Sequence, residues 1–293
     1  MKWILSITLS GLMLAGCSKQ KTESLEKGKP VIYTVNYPLA YFAERIAGDA
    51  VTVVFPDMEG DPAFWEPSAE QVVQFQDADL VLLNGASYAK WIPKVSLPQS
   101  SMLNTAAGLE EKFIALDGTV THTHGPGGAH AHGDFAFTLW LNPELAIHQA
   151  QTIHAAFAEK WNIESNGLTL LMQDLKALDE SWAGAFKTLG AQPLLGSHPV
   201  YQYLAQRYEL NMESVHWEPD AEPDAVMWRE LDDILEAHDA KIMLWEDEPL
   251  PAVKETLKQR GIHSVVFNPC GNRPDKGNYL DVMRKNLSAL ERL

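Results

Sequence analysis

The sequence predicts an α/β protein of two lobes, each a mainly parallel sheet flanked by helices, joined by one long linker helix. Three observations support this fold class. Strand-like and helix-like segments alternate in the first and last thirds of the chain, and one long apolar seam runs between them. The 293 residues, 46% of them apolar, are enough for about two domains with buried cores. We predict an N-terminal α/β lobe at residues 30–142, linker helices at 143–189 and a C-terminal α/β lobe at 190–293.

The first lobe alternates strands with helices. Its predicted strands, all rich in β-branched or aliphatic residues, lie at residues 31–35, 51–55 and 80–83. Pro38 in the first turn and Gly48 just past the end bracket one helix. Ser68 with Gln71 three residues later forms a capping box that opens the next. This order implies parallel strands covered by helices.

The middle of the chain carries an apolar seam with helical spacing. Its members recur in steps of three and four, as expected for one buried face of a helix. They are Leu168, Leu171, Leu175, Leu178, Trp182, Ala185 and Leu189. We therefore predict a single helix over residues 163–189, lying between the two lobes.

Beyond this helix the alternation resumes. The predicted strands lie at residues 193–196, 241–245 and 264–267. Helices are predicted from Pro199 onward, over 251–260 with Gly261 as the C-terminal cap, and over 278–293. The second lobe is therefore also α/β.

The N-terminus reads as an export signal followed by a lipid attachment site. Residues 1–16 combine a basic residue with an apolar stretch too short to span a bilayer core of ~30 Å. The tetrad that ends in Cys17 resembles the lipobox of bacterial lipoproteins, where the signal is cleaved before a cysteine that becomes lipidated. Residues 17–29 are polar and predict a flexible tether. We expect a protein of the periplasm or cell surface, anchored to the membrane through lipid on Cys17.

The charge balance excludes some classes of partner. The chain has 23 basic and 39 acidic residues, a net charge of −16. We expect no nucleic acid partner, because binding to nucleic acid needs basic side chains that neutralise phosphates. Two cysteines are too few for a disulfide framework or a Cys-type structural zinc site. The charge favours small cations as partners, although an acidic chain is more often simply soluble.

The strongest local signal is a histidine-rich loop at residues 121–133. It holds four of the ten histidines around a Gly-Pro-Gly-Gly turn. Neutral imidazole is the commonest metal ligand, so two His-x-His pairs facing across the turn could capture one transition-metal ion. The alternative is a solvated loop without stoichiometric metal. The four candidate ligands are His122, His124, His130 and His132.

A second set of candidates follows the predicted strands. Ligands of open α/β sheets bind beyond the carboxyl ends of the strands. The sequence places Asn36, His198, Glu246 and Asn268 there. His198 and Glu246 form a His/carboxylate set that zinc accepts. The alternatives are a structural histidine and an exposed loop acid.

Two further ligand candidates lie in loops. Glu66 shares a proline-bounded turn with Asp61, and its alternative role is to favour the following helix N-terminus electrostatically. His216 precedes the acidic run at residues 218–248, which we interpret as a solvated face rather than a cation-attracting rim.

No catalytic motif accompanies these residues. The chain lacks H-E-x-x-H, G-x-S-x-G, a Walker loop and G-x-G-x-x-G. We therefore expect a protein that is not an enzyme. The catalytic alternative is a zinc hydrolase whose metal keeps an open position for water.

Several segments form a combination that covers most of the chain after the signal. They are residues 37–49, 61–68, 78–85, the histidine-rich loop, 140–143 and 197–198. As a set they resemble the extracytoplasmic solute-binding proteins of zinc and manganese ABC transporters. The resemblance implies two α/β lobes that enclose one transition-metal ion and hand it to a membrane permease driven by a cytoplasmic ATPase.

The family's usual metal ligands are matched only in part. His198 corresponds to one of the metal-binding histidines. Ala63 and Thr138 stand where two others are usual, and Asn268 stands where an aspartate is common. Either other residues hold the ion, or metal binding has been lost. The histidines that are present favour the first alternative. The replacement ligands would come from the loop histidines, His198, Glu246, Glu66 and His216.

The expected function is a lipid-anchored receptor that captures a divalent transition metal between its lobes for the permease of an ABC importer. Zn²⁺ is the expected ion, with Mn²⁺ or another divalent transition metal as the alternative. The competing function is a metal-storage, chaperone or adhesion lipoprotein on the same fold without a transport role.

Overall fold

The computed structural model describes residues 28–58, 60–116, 121–123, 129–131 and 135–292. The signal, Cys17, and residues 17–27 of the tether lie outside these ranges. So do His124 and His132, two of the four loop histidines. Within these ranges, no helix has the length and apolar character needed to cross a membrane.

The first lobe contains a four-stranded parallel sheet with the order β2-β1-β3-β4. Its strands are β1 (Val31–Thr34), β2 (Thr52–Val54), β3 (Leu80–Leu83) and β4 (Met102–Asn104). Two helices connect them, α1 (Tyr37–Ala47) and α2 (Ala69–Gln76). Asn36 caps α1 by accepting a hydrogen bond from the Leu39 N–H, and the predicted Ser68–Gln71 capping box opens α2.

Along the chain, a short hairpin and two long helices come between the strands of the first sheet and those of the second. The hairpin pairs β5 (Thr121–Thr123) with β6 (Ala129–Ala131) in antiparallel register, so that the backbones of His122 and His130 lie opposite each other. The helices are α3 (Pro143–Trp161) and α4 (Gly167–Leu189), which pack against each other and against α1.

The predicted start of the linker helix at residue 163 is wrong by four residues. Asn162, with φ of 51°, ends α3 in the left-handed conformation, and α4 begins only at Gly167. A Cβ on Gly167 would lie 2.2 Å from the Arg45 carbonyl oxygen, so this start is pressed against the end of α1 and requires glycine. The apolar seam itself is correct, except that Phe186 rather than Ala185 is the buried residue in the last turns.

The second lobe repeats the plan with the parallel order β10-β9-β7-β8. Its strands are β7 (Leu194–Gly196), β8 (Met212–Ser214), β9 (Ile242–Trp245) and β10 (His263–Val266). Its helices are α5 (Gln202–Tyr208), α6 (Ala225–Ala237), α7 (Pro251–Gln259) and α8 (Tyr279–Leu290). The helix predicted from Pro199 begins at Gln202, and the final helix is capped by Asn278 as a second capping box.

The fold class is the one that the sequence predicts, but both lobes have one strand more than expected. The additional strands, β4 and β8, are edge strands of three residues each. Short edge strands bury little apolar surface and therefore leave a weak periodic signal in the sequence.

One large hydrophobic cluster runs through both lobes and the helices between them. It includes Phe42 of α1, Trp140 before α3, Trp182 of α4 and Tyr279 of α8. A smaller cluster around Trp217 and other residues lies inside the second lobe alone. The lobes therefore share their main core.

Trp182 tests the importance of this shared core. Its side chain is fully buried, 5.4 Å from the ring of Phe267 and 6.1 Å from that of Tyr208 between ring centroids. We expect Trp182→Ala to lower the free energy of unfolding by about 3–5 kcal/mol, because it leaves a cavity where two helices and a sheet meet. Urea unfolding followed by circular dichroism measures the change. The matched control is Leu170→Ala on the exposed face of α4, which should stay within about 0.5 kcal/mol of wild type; equal losses in both variants would contradict a shared core.

Candidate functional site

A cavity of about 310 Å³ lies between the two lobes. The first lobe contributes the turn at residues 60–62 and Tyr88, and the segment before α3 contributes Phe137, Thr138 and Trp140. The second lobe contributes side chains that follow its strands, including Glu218 and Glu246. A larger groove of about 770 Å³ between α4, α8 and β10 lacks such a convergence of acidic side chains, so the inter-lobe cavity is the candidate site.

The parallel sheet of the second lobe explains why these side chains meet. All four strands run in the same direction, so their carboxyl ends lie at one edge, where ligands of such sheets bind. His198 follows β7, Glu246 follows β9 and Asn268 follows β10, as the sequence predicts. Glu218 follows β8 and joins them at the same edge.

His198 is the centre of this group. Its side chain is 3% exposed, with Nδ1 3.1 Å from Glu246 Oε1 and Nε2 3.8 Å from Glu218 Oε1. The ring of His216 lies nearly perpendicular to it, 5.9 Å away between ring centroids. A buried imidazole placed between two carboxylates is a ligand arrangement that can receive a cation.

The electrostatic field of the cavity is negative. Burial lowers the pKa of His198, but the charge and hydrogen bond of Glu246, with the charges of Glu218 and Asp61, outweigh it and raise the pKa overall. Asp61, Glu218, Glu246 and Asp247 all line the cavity, whereas no lysine or arginine does so in the described part of the chain. The cavity therefore attracts cations.

The turn that carries Asp61 is fixed to the second lobe. Asp61 Oδ1 accepts a hydrogen bond from the Ala63 N–H at 2.8 Å. Asn272 Nδ2 donates to the carbonyl oxygens of Met58 and Gly60, at 2.6 and 3.3 Å. Asp61 is therefore held facing the strand ends of the opposite lobe.

The three positions where the sequence departs from the family pattern have structural roles instead. Ala63 is completely buried. The Thr138 hydroxyl donates to the Val200 carbonyl oxygen at 2.5 Å. Asn268 Oδ1 accepts from the Cys270 N–H at 2.7 Å and closes the loop after β10. None of these side chains replaces a missing imidazole or carboxylate.

The structure does not bring all predicted ligands to the cavity. Glu66 is 71% exposed and forms an ion pair with Lys94 at 2.5 Å, outside the cavity lining. This placement favours its alternative role near the N-terminus of α2. His122 and His130 belong to the β5–β6 hairpin, where their backbones lie opposite each other. Within the described ranges, no three or more His, Cys, Asp or Glu side chains converge on one point, so the group around His198 is not a preassembled ion site.

The sequence did not identify Glu218 as a site residue, although most acidic side chains of the run that it begins are exposed, as predicted for a solvated face. Glu218 begins the acidic run that was predicted to be a solvated face, yet its side chain is only 25% exposed and points to His198. Recognition of β8 as a strand would have identified Glu218 by the same strand-end rule that identified Glu246.

Comparisons with known proteins agree on one family. Residues 32–293 match the family model described as "ZnuA: Zinc-uptake complex component A periplasmic". The zinc-binding lipoprotein AdcA of Streptococcus pneumoniae is 29% identical over 311 residues, which cover 98% of this chain but 60% of AdcA. The high-affinity zinc uptake system protein ZnuA of Bacillus subtilis is 26% identical, covering 99% of this chain and 97% of that protein.

A solved structure shows the same architecture. The Zn(II)-bound ZnuA-like domain of Streptococcus pneumoniae AdcA superposes with a TM-score of 0.74 at 25% identity, covering 90% of this chain and 98% of that domain. The chain thus spans about 60% of the length of the streptococcal relatives and matches their ZnuA-like part.

Cys270 lies in the cavity wall and provides a test of its burial. Its side chain is 2% exposed, and burial raises the pKa of the thiol to about 12. Because the thiolate is the reactive form, we expect Cys270 to resist iodoacetamide at pH 8 in the folded protein and to react readily in urea. Cys17→Ser makes Cys270 the single thiol of the chain for this measurement. Rapid labelling of the folded protein would show that the loop after β10 opens.

Proposed function

The chain belongs to the ZnuA family of periplasmic zinc-uptake components, and on that premise we propose that it is an extracytoplasmic receptor that binds Zn²⁺ between its lobes and delivers it to the permease of an ABC importer. The observation that carries this proposal is the buried imidazole of His198, 3.1 Å from Glu246 in an acidic inter-lobe cavity. The relatives are named for zinc binding and uptake rather than for catalysis, which supports a receptor and not an enzyme.

We assign the ion to His198 and Glu246, with Glu218 and Asp61 as the nearest further carboxylates. Zinc accepts imidazole nitrogen and carboxylate oxygen together. Glu218 already approaches the Nε2 side of the imidazole, and the charge of Asp61 acts on the same ring. His216, beside His198, is the further nitrogen donor within this group.

Each part of the chain has a role in this receptor. Residues 30–142 and 190–293 are the two lobes that enclose the ion, and residues 143–189 are the helices that connect them. Residues 1–16 are the export signal, and lipid on Cys17 holds the receptor at the membrane where its permease lies. The lipoprotein name of the pneumococcal relative supports this anchoring.

The histidine-rich segment is assigned an accessory role. Its imidazoles collect ions rather than hold the transported one, because that ion is assigned to the buried His198 and to Glu246. Several weak ligands on one segment raise the local concentration of zinc without adding a stoichiometric site.

Replacement of His198 tests the site assignment. We expect His198→Ala to weaken zinc binding by at least about 100-fold, because even residues that only support a metal ligand typically contribute 10–100-fold. Competition titration against a chromophoric chelator, with metal analysis of natively purified protein, measures the affinity and shows whether Mn²⁺ competes. His263→Ala, an exposed histidine of β10, is the matched control and should bind like wild type. Equal affinity in both variants would refute the assignment.

Deletion of residues 121–133 tests the accessory role. With a short Gly-Ser linker in place of the loop, we expect one zinc ion per chain to remain bound and the association rate to fall. Stopped-flow mixing with a fluorescent zinc indicator measures the rate, and equilibrium dialysis measures the stoichiometry. Loss of the stoichiometric ion would instead make the loop histidines the primary site.

A further inference from the structure

Tyr88 presents a buried hydroxyl at the wall of the inter-lobe cavity. The residue is 2% exposed, and its hydroxyl forms no hydrogen bond with any residue that the structure describes. The ring is fixed edge-on against Phe137 and Trp140, at 5.2 and 5.6 Å between ring centroids. A Cβ on Gly271 would lie 3.5 Å from the hydroxyl, so the hydroxyl lies beside this glycine of the second lobe, and both residues line the cavity. A buried hydroxyl without a partner reduces stability, so packing alone does not explain it.

The turn that positions Tyr88 is strained. Gly85, Ala86 and Ser87 have φ values of 84°, 48° and 53°, and the last two carry a Cβ that disfavours this conformation. A Cβ on Gly85 would lie 2.6 Å from the Cβ of Ala106, so the first position requires glycine. The Tyr88 N–H closes the turn on the Gly85 carbonyl oxygen at 3.1 Å. Strain of this kind collects at ligand-binding positions, and here it fixes the phenol in the cavity wall.

The size and charge of the cavity suit an ion that keeps part of its water. Four carboxylates line it, so its occupant is cationic. A cavity of about 310 Å³ is far larger than a bare ion needs. Since each water molecule takes ~30 Å³, several can be bound beside the ion. A divalent ion bound by His198 and Glu246 thus has space for water molecules on the side of Tyr88. Such a water is a good hydrogen-bond donor, because its lone pair is directed at the metal and its protons are acidified.

We propose that Tyr88 is a further binding residue for the cargo, whose phenol oxygen accepts a hydrogen bond from a water molecule that stays attached to the divalent ion. The inference rests on the proposed function, since it requires an ion between the lobes. It assigns to Tyr88 no contact with the ion itself. It also explains why the buried hydroxyl has no partner among the described residues, because the water molecule that it binds is attached to the ion.

Tyr88→Phe separates this role from a structural one. Removing an unpartnered hydroxyl should leave the melting temperature of the metal-free protein unchanged or raise it, whereas zinc affinity should fall about threefold to tenfold. Isothermal titration with Zn²⁺ and thermal unfolding of the metal-free protein measure the two effects. The matched control is Tyr208→Phe, whose hydroxyl donates to Asp179 at 2.8 Å far from the cavity. It should lower the melting temperature and leave zinc affinity unchanged.

The outcomes distinguish the inference from the function on which it rests. A wild-type protein that binds no zinc would overturn the proposed function and the inference together. Zinc binding that is equal in wild type and Tyr88→Phe would overturn the inference alone. A crystal structure of the zinc-loaded wild-type protein gives the direct check, with a zinc-bound water expected within hydrogen-bonding distance of Tyr88 Oη. Zinc ligated by protein atoms only would also overturn the inference.

Discussion

The common direction of the strands is the constraint on which the site depends. Parallel strands end at the same edge of a sheet, so residues distant in sequence are brought together without a shared helix or loop. His198, Glu218 and Glu246 come from three different loops of the second lobe, yet they meet because each follows a strand of one sheet. The first lobe has the same arrangement and supplies the opposite wall of the cavity.

Hydrogen bonds to backbone oxygens near the cavity fix the position of one wall relative to the other. Trp140 Nε1 donates to the Pro269 carbonyl oxygen at 2.6 Å, and Tyr279 donates to the Trp140 carbonyl oxygen at 2.9 Å. On the other side, Tyr203 donates to the Ala136 carbonyl oxygen at 3.0 Å. These donors are buried aromatic side chains, so each bond is protected from water and its geometry is fixed by packing. Asp61 and Tyr88 therefore face His198 and Glu246 at a defined separation.

The sequence predicts much of this architecture because strong local patterns coincide with buried elements. The central strands, the capping box at Ser68 and the apolar seam of α4 all follow from periodicity and end signals. The edge strands β4 and β8 do not, since three half-exposed residues have no clear period. The site follows the same division: His198 and Glu246 come after central strands, whereas Glu218 comes after an edge strand. The role proposed for Tyr88 could not be predicted from the sequence, because it depends on a hydroxyl that has no hydrogen-bond partner among the described residues, which only the folded chain reveals.

The shared core also determines how a bound ion acts on the rest of the molecule. The cavity takes its wall from both lobes, and one continuous hydrophobic cluster runs beneath them. An ion that binds the folded chain and not the unfolded one adds RT ln(1 + [L]/Kd) to the free energy of unfolding. Because the lobes do not have separate main cores, this linkage acts on the whole chain. A bound ion is therefore expected to protect distant helices such as α8 against every opening that unfolds the shared core and releases the ion.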